Sequence, residues 1–355
     1  MKKYLIITLA TLAVIVTGII FSACERRPLE DEYFETALIP VRIDWRRSGI
    51  AVTQPDGNGL VHRVSVRFFP LDGSPAFDRY LETNVIEGEI AVPIGQYRIV
   101  IFNESVDDTY WDDVIQFSDI NDFDRFAANI VPDDVANYPL YTPLTNEQFI
   151  VEPFRLASWS LDYFEVTKEL VASTRKPASR GTPPSSGSSL SDRYALLDVE
   201  MRPLTYNVNV SAHVKNLCST QLIQTAMRGF SSKVYMASAV TEQTPSTHIF
   251  KLNGRTWDDP ANPVDGTTRK SFLSFGRLPQ AANYWINLDV LFVTGELYAP
   301  ATPFLYDVTP QVDASGISVG IDVNIDIDIK LNIDLPYVEG GIHVGEWDDE
   351  NITLQ

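Results

Sequence analysis

The run Gly316-Ile317-Ser318-Val319-Gly320-Ile321-Asp322-Val323-Asn324-Ile325-Asp326-Ile327-Asp328-Ile329-Lys330-Leu331-Asn332-Ile333-Asp334-Leu335 carries an apolar residue at every second position from Ile317 onward. A period of two is what a strand with one buried face requires. At about 3.4 Å per residue a straight strand of this length would reach about 60 Å, more than one sandwich spans. One bent strand or two are therefore expected, with a break near Lys330–Asn332. The same texture recurs upstream. Val41-Arg42-Ile43-Asp44-Trp45 and Val64-Ser65-Val66-Arg67-Phe68 alternate about a turn cluster, Pro55-Asp56-Gly57-Asn58-Gly59, and read as a hairpin or its equivalent. Glu89 to Asn103 reads strand, Pro/Gly turn, strand, with Tyr97, Ile99 and Ile101 on one face. Trp159–Val166, Val234–Val240, Phe272–Phe275 and Trp285–Val293 add further strands.

Helical patterning is confined to two short segments. Phe123 to Ile130 follows a candidate cap at Asn121 or Asp122. Ser219 to Gly229 places Leu222, Ile223, Ala226 and Met227 on one helical face, with Ser219 or Thr220 as cap and Gly229 as terminator. Many strands and few helices predict an all-β chain of two sandwich domains. Between them, residues 173–193 hold seven Ser, three Pro, two Gly and two Thr, and cannot repay their ordering entropy. This stretch is read as a linker or mobile loop between an N-terminal sandwich at 37–172 and a C-terminal one at 194–355.

The N-terminus has a different grammar. Lys2 and Lys3 precede an uncharged apolar block from Tyr4 to Phe21, which ends in Ser22-Ala23-Cys24. That is a secretory signal, 1–23, whose closing cysteine makes it the lipoprotein version. A retained membrane anchor and ordinary cleavage near Ala23 are the competing readings. Acyl chains on Cys24 would hold the body at a membrane, because each buried methylene contributes about 0.8 kcal/mol. Residues 24–36, with Glu25, Glu30, Asp31, Glu32 and Glu35, form a solvated tether. Removing 1–23 takes away two lysines and moves the net charge from −19 to −21. Such a charge argues against nucleic acid and against docking on anionic lipid. Apart from Cys24 only Cys218 remains, so no internal disulfide forms, and Cys218 is expected to pack as a small hydrophobe.

The candidate chemistry is thin. Gly316-Ile317-Ser318-Val319-Gly320 matches a nucleophile elbow, but it enters an alternating β run with no helix behind it, which excludes the strained strand-to-helix turn that the elbow needs. Asp322, Asn324, Asp326 and Asp328 superficially resemble a calcium loop, yet Ile327 and Ile333 stand where Gly and Glu are required. They are read as a solvated strand face, with surface calcium as the lesser alternative. His62, His213, His248 and His343 lack metal-ligand spacing, and no glycine loop would cradle a phosphate. No catalytic residue, metal or cofactor is therefore expected. The acidic stretch 104–137 holds ten Asp or Glu against one Arg, and includes Asp107-Asp108-Thr109-Tyr110-Trp111-Asp112-Asp113. An exposed loop with one aromatic staple is the simpler reading. The sharper one is a glycan or ligand site, in which Tyr110 and Trp111 stack on a sugar while Asp108 and Asp112 accept its hydroxyls.

Three landmarks occur together: Phe21-Ser22-Ala23-Cys24, the strand-turn-strand Val92-Pro93-Ile94-Gly95-Gln96-Tyr97-Arg98-Ile99, and Met201-Arg202-Pro203-Leu204-Thr205 opening the second half. In these the chain resembles the fimbrillin-associated anchor lipoproteins of Bacteroides-type bacteria and a sister group of lipoproteins. The resemblance implies two transthyretin-like or Ig-like β-sandwich domains in tandem. It also implies lipid attachment to the outer membrane through Cys24, facing the cell surface, and a non-enzymatic role in fimbrial anchoring or assembly. The implied partners are pilin-like subunits, engaged by strand addition. A surface glycan-binding lipoprotein using 104–137 is the alternative.

Overall fold

The computed structural model describes residues 35–50, 63–81, 85–104, 113–141, 147–174, 196–278, 280, 282–298, 300, 304–314 and 326–338. The strands of the first half are β1 (Thr36–Asp44), β2 (Arg63–Pro70), β3 (Phe77–Leu81), β4 (Glu87–Pro93), β5 (Gly95–Glu104), β6 (Ile115–Ser118), β7 (Ala127–Ile130) and β8 (Ala157–Val166), followed by helix α1 (Lys168–Thr174). Next come β9 (Leu197–Glu200), β10 (Arg202–Pro203), β11 (Tyr206–Lys215), β12 (Thr220–Ser231), β13 (Lys233–Tyr235), β14 (Pro245–Lys251), β15 (Gly254–Trp257) and β16 (Gly266–Ser274). The last elements are β17 (Trp285–Phe292), β18 (Leu297–Tyr298), β19 (Phe304–Asp307), helix α2 (Thr309–Ala314) and β20 (Ile327–Asp334). The chain is all-β, as its alternation predicts. Among the described residues no helix is long and apolar enough to cross a membrane.

Contacts divide the chain into two compact units, one drawn at Met1–Ile39, Ala91–Gly95 and Glu165–Ala195, the other at Pro40–Ile90, Gln96–Phe164 and Leu196–Gln355. In the first unit Ala37, Ile39, Val92, Val166 and Val171 are buried. There the Ile94 N–H donates to the Glu35 carbonyl at 3.0 Å and the Leu38 N–H to Thr174 Oγ1 at 3.3 Å.

Among the described residues the second unit holds two large hydrophobic cores and a small cluster of Tyr141, Phe149, Ala226 and Ile249. In one, the five-stranded sheet β10-β8-β5-β2-β3 turns Phe69, Val100 and Phe102 toward the sheet β13-β7-β6, which supplies Ile115, Ala128, Ile130 and Val234, with Phe126 beside them. In the other, the sheets β15-β16-β11-β20 and β14-β12-β17-β18 form a sandwich filled by Val208, Val210, Phe272, Ile327 and Ile329 from one side and Ile223, Met227, Ile286 and Leu288 from the other. Strands on either side of residues 173–193 pair with each other: β1 with β9 in parallel, and β8 with β10 and β7 with β13 in antiparallel fashion.

Several local expectations fail for identifiable reasons. The segment read as a helix at Ser219–Gly229 is strand β12, held between β14 and β17. Ile223 to Met227 are all buried there, so both faces are covered and the period of two disappears. Gly229, at φ 121°, sits in a β-bulge between Arg228 and Phe230 and terminates nothing. Phe123–Ile130 begins with one turn, in which the Asp122 carboxylate accepts from the Asp124 and Arg125 N–H groups at 3.1 and 3.3 Å, and then becomes β7. β1 and β2 do not form a hairpin, since β2 pairs with β3 and β5 while β1 pairs with β9. The final strand runs without a break through Lys330–Asn332, with Ile327, Ile329, Leu331 and Ile333 buried. Its upstream part, 315–325, lies outside the described residues.

The β20 edge is closed by a side chain. The Lys330 N–H donates to Gln311 Oε1 at 2.7 Å, and Gln311 Nε2 donates to the Lys330 carbonyl at 3.1 Å, so one amide from α2 stands in for a neighbouring strand. β14 is closed comparably, by the Thr247 N–H donating to Gln148 O at 2.8 Å and the Ile150 N–H to Thr247 O at 3.2 Å. Sealed edges resist unwanted pairing. Gln311→Ala is expected to cost about 1 kcal/mol in thermal melts and to increase self-association in light scattering at high concentration.

Candidate functional site

The second unit carries an open cleft of about 960 Å³, lined among others by Arg42, Asp44, Trp45, Ile86, Arg155 and Asp326. It is built where β1 ends. Trp45 is 7% exposed, and its Nε1–H donates to the Val85 carbonyl at 2.9 Å, fixing the indole as the floor. The chain then turns back through Gly49, whose φ of 71° lies in the left-handed region that glycine tolerates. Ser48 Oγ donates to Trp45 O at 2.8 Å and accepts from the Ile50 N–H at 3.0 Å, which holds that turn closed.

The walls carry charge in an ordered way. Arg42 forms a two-point pair with Asp198 across β1 and β9, Nη2 to Oδ2 at 2.7 Å and Nε to Oδ1 at 3.1 Å. Hydrogen bonding to Asp198 holds the Arg42 guanidinium above its ordinary range. Arg46 pairs with Asp44 through Nε at 2.9 Å and through Nη2. Those hydrogen bonds pull the Asp44 carboxyl down to about 2. Arg155 is held differently. Its Nη2 donates to Asn207 Oδ1 at 3.0 Å, and Asn207 Nδ2 donates to Asp326 Oδ1 at 3.0 Å. A neutral amide therefore stands between this guanidinium and the nearest carboxylate in its hydrogen-bond chain.

The next rung of the same sheet repeats the device: Ser271 Oγ donates to Asn209 Oδ1 at 2.6 Å, and Asn209 Nδ2 donates to Asp328 Oδ1 at 3.0 Å. Asp326 and Asp328, considered above as calcium ligands, thus accept from asparagines of β11. Among the described residues no group of three or more His, Cys, Asp or Glu is arranged to hold a metal ion.

The other sequence candidates are dispersed or lie beyond the described residues. Cys24, Asp108, Tyr110, Trp111, Asp112, Ser318, Asp322, Asn324, His62 and His343 fall outside them. His213 Nε2 lies 2.8 Å from Asp258 Oδ2 on an exposed face. His248 is 3% exposed, against Phe272 with ring centroids 4.9 Å apart, and burial pushes its imidazole down to about 3. Cys218 is half-buried, not fully packed away, with Sγ 3.9 Å from Ser219 Oγ. The cleft itself was not legible in sequence, because its residues are drawn from positions 42 to 326 and no local motif links them.

A family model described as "Domain of unknown function (DUF5119)" matches residues 23–251. No curated protein matches the sequence. A crystal structure from Bacteroides ovatus ATCC 8483, described provisionally as an adhesin, superposes with a TM-score of 0.55 at 15% identity, covering 89% of this chain and 98% of that one. The fimbrial anchor protein Mfa2 from Porphyromonas gingivalis matches with a TM-score of 0.41 at 13% identity, over 84% of this chain and 90% of that one. A fimbrial assembly protein from Parabacteroides distasonis ATCC 8503 matches with a TM-score of 0.34 at 9% identity, over 83% and 90%. The Bacteroides ovatus structure shares the fold of this chain across nearly its whole length.

Proposed function

We propose, for a chain that belongs to the family described as Domain of unknown function (DUF5119), a non-enzymatic role at the cell surface in fimbrial anchoring or assembly. What supports this reading is the signal-like sequence Met1–Cys24 together with an all-β body whose fold the Bacteroides ovatus structure shares. Acylation of Cys24 fixes the body to the outer membrane, and the acidic tether 24–36 keeps it clear of the lipid surface. Partner subunits of pilin type engage it by strand addition, in which backbone hydrogen bonds supply affinity and alternate side chains supply specificity. Addition at β20 or β14 requires displacement of Gln311 or of residues 148–150, so these edges accept a strand only at a cost.

One experiment tests both attachment and partnership. The full-length acylated protein, recovered from outer membranes by affinity pull-down, is expected to bring pilin-like subunits with it. The Cys24→Ser variant is expected to leave the membrane fraction. Recovery of the acylated protein without subunits would overturn the fimbrial role, and membrane partitioning of the Cys24→Ser variant would overturn the lipid anchor.

A further inference from the structure

Among the described residues, the cleft beside β1 contains one arginine without a carboxylate partner. Of the three lining arginines, Arg42 and Arg46 each have a carboxylate partner, Asp198 and Asp44. Arg155 has none among the described residues, and its single guanidinium hydrogen bond goes to the neutral amide of Asn207. Asn207 is itself fixed by Asp326, so the guanidinium is oriented from behind without direct neutralisation. Such a fork presents parallel N–H donors to a planar oxyanion. In a chain of net charge −19, a locally unneutralised arginine in a cleft large enough for several residues is a complementary seat for a carboxylate.

We propose that this cleft binds an extended segment of a partner protein, with an acidic side chain of that segment seated on Arg155. Three features favour a peptide over an acidic sugar. Trp45, the aromatic residue lining the cleft, is buried with its N–H committed to Val85, so it offers no open face for stacking a sugar ring. Ile86, 37% exposed, offers an apolar wall at the mouth, beside Trp45 and Ile50 at the base. Two further ion pairs in the lining, Arg42–Asp198 and Arg46–Asp44, are exposed enough to offer donors and acceptors to main-chain amides. The identity of the partner as a fimbrial subunit rests on the reading above; the chemistry of the seat does not.

The test uses the mature full-length chain with Cys24→Ser for solubility, and a capped pentapeptide, acetyl-Ile-Asp-Ile-Asp-Ile-amide, titrated by calorimetry at low salt. The same measurement is made with acetyl-Ile-Asn-Ile-Asn-Ile-amide and with glucuronate. The aspartate peptide is expected to bind at least about tenfold more tightly than the asparagine peptide and to weaken as salt is added. Arg155→Gln is expected to remove that preference, Arg155→Lys to keep part of it, and Arg125→Gln, an exposed arginine paired with Asp119 outside the cleft, to leave it within about twofold. A melting curve for each variant separates loss of binding from loss of fold. Equal binding of the two peptides, or an unchanged preference in a folded Arg155→Gln variant, would overturn the proposal. Binding of glucuronate without the peptide would replace it with a glycan site. Because the probes contain no fimbrial protein, a negative result here leaves the pull-down result standing, and the reverse holds equally.

Discussion

Between pH 7.5 and pH 4 the chain is expected to lose about 3 kcal/mol of folding stability through His248 alone. The imidazole lies on β14 inside the sandwich, 3% exposed, with Nε2 lacking a hydrogen-bond partner among the described residues. Desolvation holds it neutral until about pH 3, whereas in the unfolded chain it protonates near its ordinary 6.5. A base whose folded pKa is depressed contributes stability that is present above the unfolded value and is lost as pH falls below it. Below pH 6.5 the unfolded state gains a proton that the native core refuses, and the loss grows until about pH 3. His248→Leu is expected to flatten this slope, measured as urea midpoints across the pH range. An unchanged slope would show that His248 is not the group responsible. A second group acts in the opposite direction. Burial raises the Asp289 carboxyl from 3.8 to about 6, and its Oδ2 has no hydrogen-bond partner among the described residues. That stabilising protonation is fully present below pH 3.8 and is lost as pH rises through 6. Discounted for its partial exposure, Asp289 offsets about 1 kcal/mol of the acid loss. The His248→Leu variant should therefore expose a shallow stability gain toward pH 4.

Gly229→Ala is expected to lower stability by about 3 kcal/mol, the sum of left-handed backbone strain and a collision. At φ 121° an L-residue is strained whatever the space, and here the space is absent. A Cβ would stand 2.6 Å from Tyr284 Cδ1 and 3.1 Å from the Asn283 carbonyl. Tyr284 cannot yield easily: it is 1% exposed, packs on Phe230 with ring centroids 5.3 Å apart, and its hydroxyl accepts from the Leu278 N–H at 3.2 Å. Gly73→Ala is the control. Its φ of 83° is also positive, but nothing lies within 4 Å of the added carbon. Only the backbone term remains there, about 1 kcal/mol. Comparable losses in the two variants, read as shifts in denaturant midpoint, would contradict the packing at the bulge.

The same glycine shows where sequence reading stops. β2, β8, β17 and β20 were visible because each shows enough polar and apolar alternation to betray a strand. β12 is central, covered on both sides, and its run Ile223-Gln224-Thr225-Ala226-Met227 is buried throughout. Burial on both faces erases the period, and the remaining Leu, Ile, Ala and Met spacing imitates a helix. Gly229 then looks like a helix terminator when it serves a bulge. For the cleft the difficulty is distance. Arg42 and Asp198 come together through parallel pairing of β1 with β9, while Arg155, Asn207 and Asp326 meet across β11 and the start of β20. Tertiary pairing creates the site, and no local spacing could have foretold it.

The parallel pairing of β20 with β11 also sets a schedule. Asn209 and Asp328, partners in that ladder, are 119 residues apart, and each β20 rung from Ile327 to Asp334 closes a loop of the same length. Contacts of such high order are slow to form, because the loop entropy is lost before the ladder rewards it. Until residue 334 is available, the sandwich lacks the strand that brings Ile327, Ile329, Leu331 and Ile333 into its core. A chain whose C-terminal part has yet to emerge from the ribosome would accordingly hold back from its final packing until β20 became available.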